Sequence, residues 1–558
     1  RATARPLEHE LSARLSCRDR LPVGILPPMA DTPPSTSSGE IVRRAGLVAT
    51  GTLTSRMLGA VRDAVVAAVF AIGATDAFWL AFTIPNALRA LLGEGAVSAA
   101  FVPVFTEVRE REGKEPAKTF YRHLIGTMSI VLLVVSVLGV LLAPWIVKLY
   151  AWGFQRDPAL FDMTVALARL LFPYIFLMGV SALLMAALYA SKRFAAPAFA
   201  PALLNVALIA AAFLLVPTVE RFGWPGIFAL ALGALIGGGL QVLFQLPALA
   251  KEDLVVTPRF DFDDPYVRKC GRLMVPLLAG LGVYQLNLLL SRLFASFLPT
   301  GSVSYLYYGA RLAEIPQGMF ALAIASAALP SLSDAVAHRD EDEAKRLFRY
   351  ALRLSLFVAV PACVALTVLA EPTITVFFGR GRYEATEIQE TVRSFVWQAG
   401  GIWAVASVRT IIPMFHAHND TRTPVIASAL NLVTFVALSF ALMGPMQHAG
   451  LAAATTAAAV VQLIALLWLL RRRSGRLGLR EVGRSLARVA TASLVMGVVV
   501  ASMARLGEWH LGGNHPRNLG VYAATVVVGA LAYLGVARAL SAPELGDLRA
   551  ALRRRVRA

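Results

Sequence analysis

TIPNALRALLGEGA, residues 83–96, lies between two apolar runs, FWLAF (78–82) and VSAAFVPVF (97–105). The stretch itself carries Pro85, Asn86, Arg89 and Glu94. Charged groups are expensive near the middle of a bilayer, so they normally face a water-filled cavity or a partner. The stretch therefore predicts a membrane helix that lines a polar interior, with a kink at its proline.

The composition of the whole chain is that of a membrane protein. Of its 558 residues, 57% are hydrophobic and 16% are charged, whereas soluble domains carry about 25% charged residues. The apolar residues recur in blocks of roughly 20 to 30, long enough to span a bilayer as helices, and they lack the alternation of barrel strands. We therefore predict an all-α polytopic membrane protein.

The apolar blocks predict about fourteen transmembrane helices. They lie near 42–71, 75–105, 124–149, 161–190, 196–217, 225–249, 266–298, 301–333, 344–378, 386–417, 423–444, 447–470, 486–505 and 518–540.

The loops between these spans indicate the orientation. Loops after even-numbered spans are basic, as in SKR (191–193) and RRRSGRLGLREVGR (471–484), whereas AIGAT (71–75) and LPTGS (298–302) contain no Lys or Arg. This asymmetry places both termini in the cytoplasm. It also explains the net charge of +18 without nucleic acid as a partner.

A weak internal repeat suggests two halves. AVSAAFVPVF (96–105) resembles AIASAALPSL (323–332), and PALLNVAL (201–208) resembles ASALNLVT (427–434), at offsets of 227 and 226 residues. We predict two six-helix lobes around a central cavity, as parallel repeats form in transporters. The predicted parts are an N-terminal extension (1–41), an N-lobe (42–249), a C-lobe (250–470), and two further helices with a basic tail (471–558). The extension is expected to be disordered, with translation starting at Met29.

Charged and polar residues inside the spans cluster in spans 1, 2 and 8. Structural roles explain part of the cluster: Arg56 and Asp63 share a helix face, Arg311 and Glu314 can pair at i, i+3, and Asp76 can cap span 2. Besides arginines, the polar and charged residues of this cluster are Ser55, Asp63, Asp76, Asn86, Glu94 and Glu314, and we expect them to support a cavity.

Pairing does not remove the whole anomaly, because spans 1, 2 and 8 together contain four arginines: Arg56, Arg62, Arg89 and Arg311. Arginine stays protonated, and its planar fork matches phosphate oxygens. Several arginines in one chamber of low dielectric predict a site for a polyanion, with a diphosphate as the natural ligand.

Motifs of enzymes and cofactor sites are absent from the sequence. No P-loop, GxSxG or HExxH pattern occurs, and the three cysteines have no metal-ligand spacing. DFDD (261–264) lies beside Arg259 and Arg268, and we interpret it as a solvated charge run. We expect a transporter without a cofactor.

Several motifs resemble the MurJ/MviN family. They are SRxxGxxRD (55–63), ATDAF (74–78), PNxxRxxxxEGA (85–96), FVP (101–103), GSVSYLYYGARLAEIPQG (301–318), ALPSLS (328–333) and HNDTRTP (418–424). The family belongs to the multidrug/oligosaccharidyl-lipid/polysaccharide exporter superfamily, and its members flip lipid II across the bacterial cytoplasmic membrane.

The resemblance implies a multi-pass inner-membrane flippase that acts by alternating access, with lipid II and membrane lipids as its partners. It implies that spans 13 and 14 hold the lipid tail and that the four arginines bind the diphosphate. It also implies that five further residues lie near the cavity: Asp76, Asn86, Glu94, Ser304 and Glu314. We expect a monomer. Some relatives have a sodium site with a QxNxxxD pattern, but QLNLLLS (285–291) ends in Ser291 here. Asp420 is the remaining candidate ligand for sodium, and the sequence does not decide between sodium and membrane potential as the driver.

Three other functions compete with this interpretation. A flippase for another polyprenyl-diphosphate sugar, such as an O-antigen unit, would use the same arginines. A drug or cation antiporter of the same superfamily would favour acidic groups in the cavity. A polytopic glycosyltransferase or lipid phosphatase would need a metal-binding or His/Asp constellation, for which DFDD is a poor candidate.

Overall fold

The structure, a computed structural model, describes residues 38–91, 97–317 and 322–546. Residues 1–37 of the predicted extension, Glu94, and the end of the basic tail lie outside these ranges. The helices within them are α1 (Ser38–Val69), α2 (Ile72–Leu91), α3 (Val97–Arg111), α4 (Lys114–Tyr150), α5 (Pro158–Leu171), α6 (Pro173–Ala190), α7 (Ala195–Leu214), α8 (Val216–Arg221), α9 (Phe228–Ala250), α10 (Pro265–Ser296), α11 (Ser302–Pro316), α12 (Leu322–Ala337), α13 (Glu341–Val368), α14 (Ala370–Phe378), α15 (Ala385–Gly400), α16 (Ile402–Ala417), α17 (Arg422–Ser474), α18 (Leu479–Ala504) and α19 (Pro516–Ala539).

The all-α polytopic class is confirmed, whereas the span number is not settled. Twelve of the predicted spans coincide with one helix or with two consecutive helices, and the other two, 423–444 and 447–470, both lie within α17. In the described ranges, nine helical segments are long and apolar enough to cross a membrane. α1 and α2, which carry most of the predicted charges, are not among the nine, so the total of fourteen stays a prediction.

The longest apolar helix shows how the protein meets the bilayer. α4 leaves large apolar side chains uncovered, including Leu141 at 66% and Trp145 at 69% exposure. Lys148 lies 5.6 Å over the ring of Trp145 at the end of this helix, a pairing typical of the membrane interface. This face of α4 is therefore a lipid-facing surface.

The predicted repeat recurs in the helix boundaries. α4, α5 and α7 begin 227 residues before α13, α15 and α17, respectively. The break between α5 and α6, where Pro173 starts a new helix, has its counterpart between α15 and α16 at Gly401. α17 itself is two helices, since Gln447 has φ 52° and ψ −133° and divides it.

The helices pack mostly within two sequence-local groups. The first group runs from α1 to α9, where α9 packs on α6 and α7, α4 packs on α6, and α2 packs on α5. The second group runs from α10 to α17, where α16 packs on α12 and α13, α11 packs on α15, and α10 packs on α17. α18 and α19 pack on each other, and α18 also packs on α13. The main packing between the groups comes from α10 and α11 against α2, α3 and α4. This places the predicted site residues of α2 and α11 near the boundary between the groups, while the predicted lobe boundaries stay a prediction.

Candidate functional site

Arg62 and Asp63, consecutive residues of α1, form a buried ion pair. Both Nε and Nη2 of Arg62 donate to Oδ1 of Asp63, at 2.9 and 2.6 Å. Nη1 of Arg62 donates to Oδ1 of Asn205 on α7 at 3.1 Å. Asp63 is fully buried and Arg62 is 5% exposed, so the guanidinium has replaced its hydration with fixed partners.

Arg311 of α11 reaches the same carboxylate from the second group of helices. Its Nε donates to Oδ2 of Asp63 at 3.2 Å, and its Nη1 donates to Glu314 at 3.3 Å. The Arg311 side chain is 38% exposed. The expected local pair of Arg311 with Glu314 is therefore present, and Arg62 and Arg311 converge on Asp63. Arg56 shares a helix face with Asp63 but is exposed, and Asp63 pairs with the other two arginines instead.

Gly59 allows Arg311 to approach α1. A Cβ added to Gly59 would lie 3.2 Å from Nη2 of Arg311. This separation is tight, although the guanidinium is the flexible end of a long side chain. The glycine in SRxxGxxRD thus leaves space for a cation from the opposite group of helices.

Two aromatic rings lie against this cluster. Trp79 and Tyr307 stack at 3.9 Å, with an 18° angle between their planes. Arg62 lies 5.5 Å over the Trp79 ring, and its Nη2 donates to the Tyr307 hydroxyl at 3.0 Å. The Tyr307 hydroxyl donates in turn to Asp63 at 3.3 Å. Cation–π and hydrogen-bond contacts together fix Arg62 in one geometry.

A further buried arginine, Arg292 of α10, was missed by the sequence analysis. It is 7% exposed and lies 5.5 Å over the other ring, that of Tyr307. Its Nη1 donates to the carbonyl of Val303 at 2.9 Å, while its Nε has no acceptor among the described residues. Asp76 and Glu314 attract it through space. The sequence did contain a signal for this residue, because Arg292 is a charged residue inside the predicted span 266–298.

The other predicted arginines lie around this centre. Nε of Arg89 donates to Oδ1 of Asn86 at 2.9 Å, one turn earlier on α2. Arg89 and Arg62 both act electrostatically on the hydroxyl of the buried residue Tyr174. The carbonyl of Ser55, next to Arg56, accepts from Nδ2 of Asn205 at 3.0 Å.

Asp76 joins the two groups of helices at one end. Its two carboxylate oxygens accept from the amides of Gly301 and Ser304, at 2.5 and 2.8 Å. These amides belong to the start of α11. The expectation that Asp76 caps its own helix is therefore wrong: α2 begins four residues earlier, at Ile72, and the carboxylate caps α11 instead.

The same end holds further contacts between the groups. Thr75 hydrogen-bonds Ser304 at 2.8 Å, and Nε1 of Trp79 donates to the Tyr308 hydroxyl at 3.3 Å. The partners in each pair are 229 residues apart, about one repeat length.

The loop after α14 closes on α1 at this end. The amide of Arg382 donates to the carbonyl of Ala68 at 2.9 Å. Gly381 has φ +61°, and a Cβ there would lie 2.2 Å from the same oxygen. Only glycine fits both the backbone conformation and this approach.

The candidate sodium ligand, Asp420, has a structural role in this structure. Its oxygens accept from the amides of Arg422 and Thr423, from the Thr423 hydroxyl and from Arg473, at 2.5 to 3.1 Å. Partial burial raises the pKa of Asp420, but the Thr423 hydrogen bonds and Arg473 outweigh it and hold the pKa below its usual value. This donor set does not fit a cation. Throughout the ranges that the structure describes, no cluster of three or more His, Cys, Asp or Glu side chains is arranged to hold a metal ion.

DFDD also differs from a freely solvated charge run. Oδ1 of Asp261 accepts from the amides of Asp263 and Asp264. Asp264 caps α10 and contacts Nδ1 of His123 at 2.8 Å. The run therefore forms the turn that starts α10 and fixes it to α4.

Comparison with known proteins identifies relatives along most of the chain. The family model described as "Lipid II flippase MurJ" matches residues 65–517. A probable lipid II flippase MurJ of Vibrio cholerae is 34% identical over 529 residues, covering 92% of this chain and 99% of the relative. The lipid II flippase MurJ of Burkholderia cenocepacia is 35% identical over 437 residues, covering 77% and 84%.

Solved structures share the fold. A lipid II flippase MurJ in an inward closed conformation has a TM-score of 0.73 at 23% identity, covering 88% of this chain and 98% of that one. An inward-facing multidrug resistance MATE family transporter has a TM-score of 0.66 at 14% identity, covering 78% and 98%.

Proposed function

This chain belongs to the MurJ family of lipid II flippases, whose model matches most of its length, and on that premise we propose that it is itself a lipid II flippase. It moves this undecaprenyl-diphosphate-linked peptidoglycan precursor from the cytoplasmic to the outer leaflet of the bacterial inner membrane by alternating access. The observation that carries the proposal is the convergence of Arg62 and Arg311, from opposite groups of helices, on the single carboxylate of Asp63.

The two arginines have different roles in the proposal. Charge-assisted hydrogen bonds have optimal lengths of about 2.7–2.9 Å. The Arg62–Asp63 contact at 2.6 Å is short and buried, so Arg62 serves as an immobile positive charge beside the site. Arg311 makes bonds of 3.2 and 3.3 Å and is partly exposed, so it can exchange Asp63 and Glu314 for diphosphate oxygens at low cost.

Arg56 and Arg89 supply the remaining positive charge. Arg56 lies six residues before Arg62 on α1, about 9 Å along the helix axis, and is exposed. Arg89 lies on α2 beside Asn86. Substrate entry brings the diphosphate between these cations and Arg311, and the diphosphate takes the place of Glu314 on Arg311.

Alternating access requires a second state in which the contacts of Asp76 with α11 are broken. A ligand shifts such an equilibrium only through a difference in its affinity for the two states. Because Arg62 belongs to the first group of helices and Arg311 to the second, their spacing changes when the groups move. The diphosphate therefore binds the two states with different strength.

The alternative is a flippase for another polyprenyl-diphosphate-linked oligosaccharide, since the same arginines would serve it. Competition with sugar-diphosphate headgroups distinguishes the two substrates. A drug or cation antiporter is disfavoured because its cargo would meet guanidinium groups; the likeness to the MATE transporter extends to the fold alone. We also propose that both termini lie in the cytoplasm, as the basic loops indicate, and that the protein acts as a monomer.

A binding experiment tests the arginine assignment. Arg311→Gln is expected to weaken lipid II binding about tenfold or more, since a hydrogen bond between charged partners contributes about 1.5–3 kcal/mol. Arg393→Gln is the matched control, because Arg393 also pairs at i, i+3, with Glu390, and is 48% exposed. Equal affinities of the two variants would contradict the role of Arg311.

A cellular experiment tests the substrate. Depletion of the protein in its native cell is expected to trap lipid II in the cytoplasmic leaflet. Arg89→Ala is expected to abolish complementation at normal membrane abundance. Continued arrival of lipid II at the outer face, in a cell without a second flippase, rules the assignment out.

A further inference from the structure

A groove with one arginine among apolar side chains lies on the surface of the first group of helices. A groove of about 520 Å³ separates α5 from the start of α9, a volume in the range of small-molecule sites. Apolar atoms dominate its walls. Its lining residues are Ala166, Arg169, Leu170, Trp224, Pro225 and Phe228.

Arg169 is the anomaly in this groove. It is an exposed arginine within Pro158–Ala190, a segment apolar and long enough to cross the membrane. No ion pair of Arg169 occurs within 38–91, 97–317 and 322–546, the ranges described here. A guanidinium on such a surface is expensive unless it extends to the interface or meets an anion.

The depth of the groove fits a lipid headgroup. Trp224 is 53% exposed, and its ring meets that of Phe228 edge to face at 5.5 Å. Exposed tryptophans of this kind lie at the membrane–water interface. In the predicted topology, α9 starts on the side of the membrane where α4 ends, because spans 3 and 6 run in opposite directions. Arg169 lines the same groove as Trp224, so its guanidinium lies beside an exposed tryptophan.

We propose that this groove binds an anionic phospholipid of the surrounding leaflet. The guanidinium of Arg169 receives the lipid phosphate, for which its planar fork is suited. One acyl chain fills the apolar groove between Leu170 and Phe228. Charge complementarity and the apolar walls together specify this occupant, and the site is independent of the diphosphate site around Asp63.

The experiment measures lipid retention by the purified full chain in nanodiscs, with native mass spectrometry as the readout. The discs contain phosphatidylglycerol and phosphatidylcholine, without lipid II. The wild type is expected to retain phosphatidylglycerol preferentially. Arg169→Gln is expected to reduce this preference about fivefold, since a basic residue near an anionic membrane surface contributes about 1 kcal/mol.

Two matched controls separate a built site from general attraction. Lys148→Gln removes a cation at the same end but outside the groove, and it is expected to leave the preference unchanged. Ala166→Phe fills the groove while keeping Arg169, and it is expected to remove the retained lipid. Val137→Phe fills a neighbouring groove of about 410 Å³ between α4, α6 and α9, which has no charged lining residue, and it is expected to have no effect.

Three results would overturn the proposal. They are an unchanged preference in Arg169→Gln, equal losses in Arg169→Gln and Lys148→Gln, and unaltered retention in Ala166→Phe. A doubled mass that Ala166→Phe abolishes would assign the groove to a second copy of the chain instead.

Discussion

Replacing Asp76 by Asn tests whether this carboxylate holds one end of the protein closed. Asp76 is 1% exposed, and each of its oxygens accepts an amide proton from the start of α11. Asn keeps the shape and one acceptor, but its NH2 group then faces a backbone N–H. One charged hydrogen bond is lost and the other becomes neutral.

The size of the effect follows from these two bonds. A hydrogen bond to a charged group contributes about 1.5–3 kcal/mol and a neutral one about 0.5–1.5 kcal/mol. The substitution therefore removes about 3 kcal/mol from the closed arrangement, which corresponds to about a hundredfold change in the closed-to-open ratio. Thr75→Val removes one neutral bond to Ser304 and is expected to change the ratio about fivefold.

Thiol accessibility measures this ratio. Thr83 is 6% exposed and lies two turns after Asp76 on α2. In a background without native cysteines, Thr83→Cys is expected to react with an impermeant maleimide, added from the outer face, up to about a hundredfold faster when Asp76→Asn is present. Equal rates in the presence of Asp76→Asn and Thr75→Val would refute the reasoning, because the charge would then contribute nothing.

Substitutions at three further positions test the surroundings of the site and the cap of α17. Gly59→Ala is expected to keep lipid II affinity, whereas Gly59→Leu displaces Arg311 and lowers affinity in the same binding assay; equal affinities would contradict the close approach. Asn205→Leu leaves one buried donor of Arg62 unpaired and is expected to cost about 1–3 kcal/mol in thermal unfolding; an unchanged melting temperature would show that water replaces the amide. The pKa of Asp420 is depressed, so the ionised carboxylate stabilises the start of α17 at neutral pH, and this stabilisation is lost as the pH falls below the usual value of about 3.9. Asp420→Asn is expected to lower the free energy of unfolding by about 1 kcal/mol at neutral pH and to remove this part of its acid dependence. An identical acid profile of unfolding in both proteins would contradict the role of Asp420.

The sequence predicts the helices well because apolar length is a local property. Pro173 shows where this reasoning fails: the apolar run continues through it, and the predicted span 161–190 has no break there. At Pro173 the missing backbone N–H starts a new helix inside the span.

The site was predictable as a set of charges but not as a set of pairs. Arg311 and Glu314 are neighbours on one helix, so their contact follows from spacing alone. The partner of Asp76 lies 225 residues away at Gly301, and only the tertiary structure brings them together. The contacts of Asn205 and Tyr307 with Arg62 were not predicted, because a single amide or phenol in an apolar span does not indicate its partner.

The pairs Thr75–Ser304 and Trp79–Tyr308, each separated by 229 residues, have an evolutionary consequence. In a dimer of identical half-length chains, such positions on the symmetry axis would face copies of themselves. A carboxylate beside that axis would meet a second carboxylate, and the two would repel each other. Fusion of the halves into one chain removes this constraint, because each position can then mutate independently of its counterpart. Asp76 has no acidic counterpart, since the residue 227 positions later is Val303 and the residue 229 positions later is Tyr305; its cap of α11 is therefore one-sided.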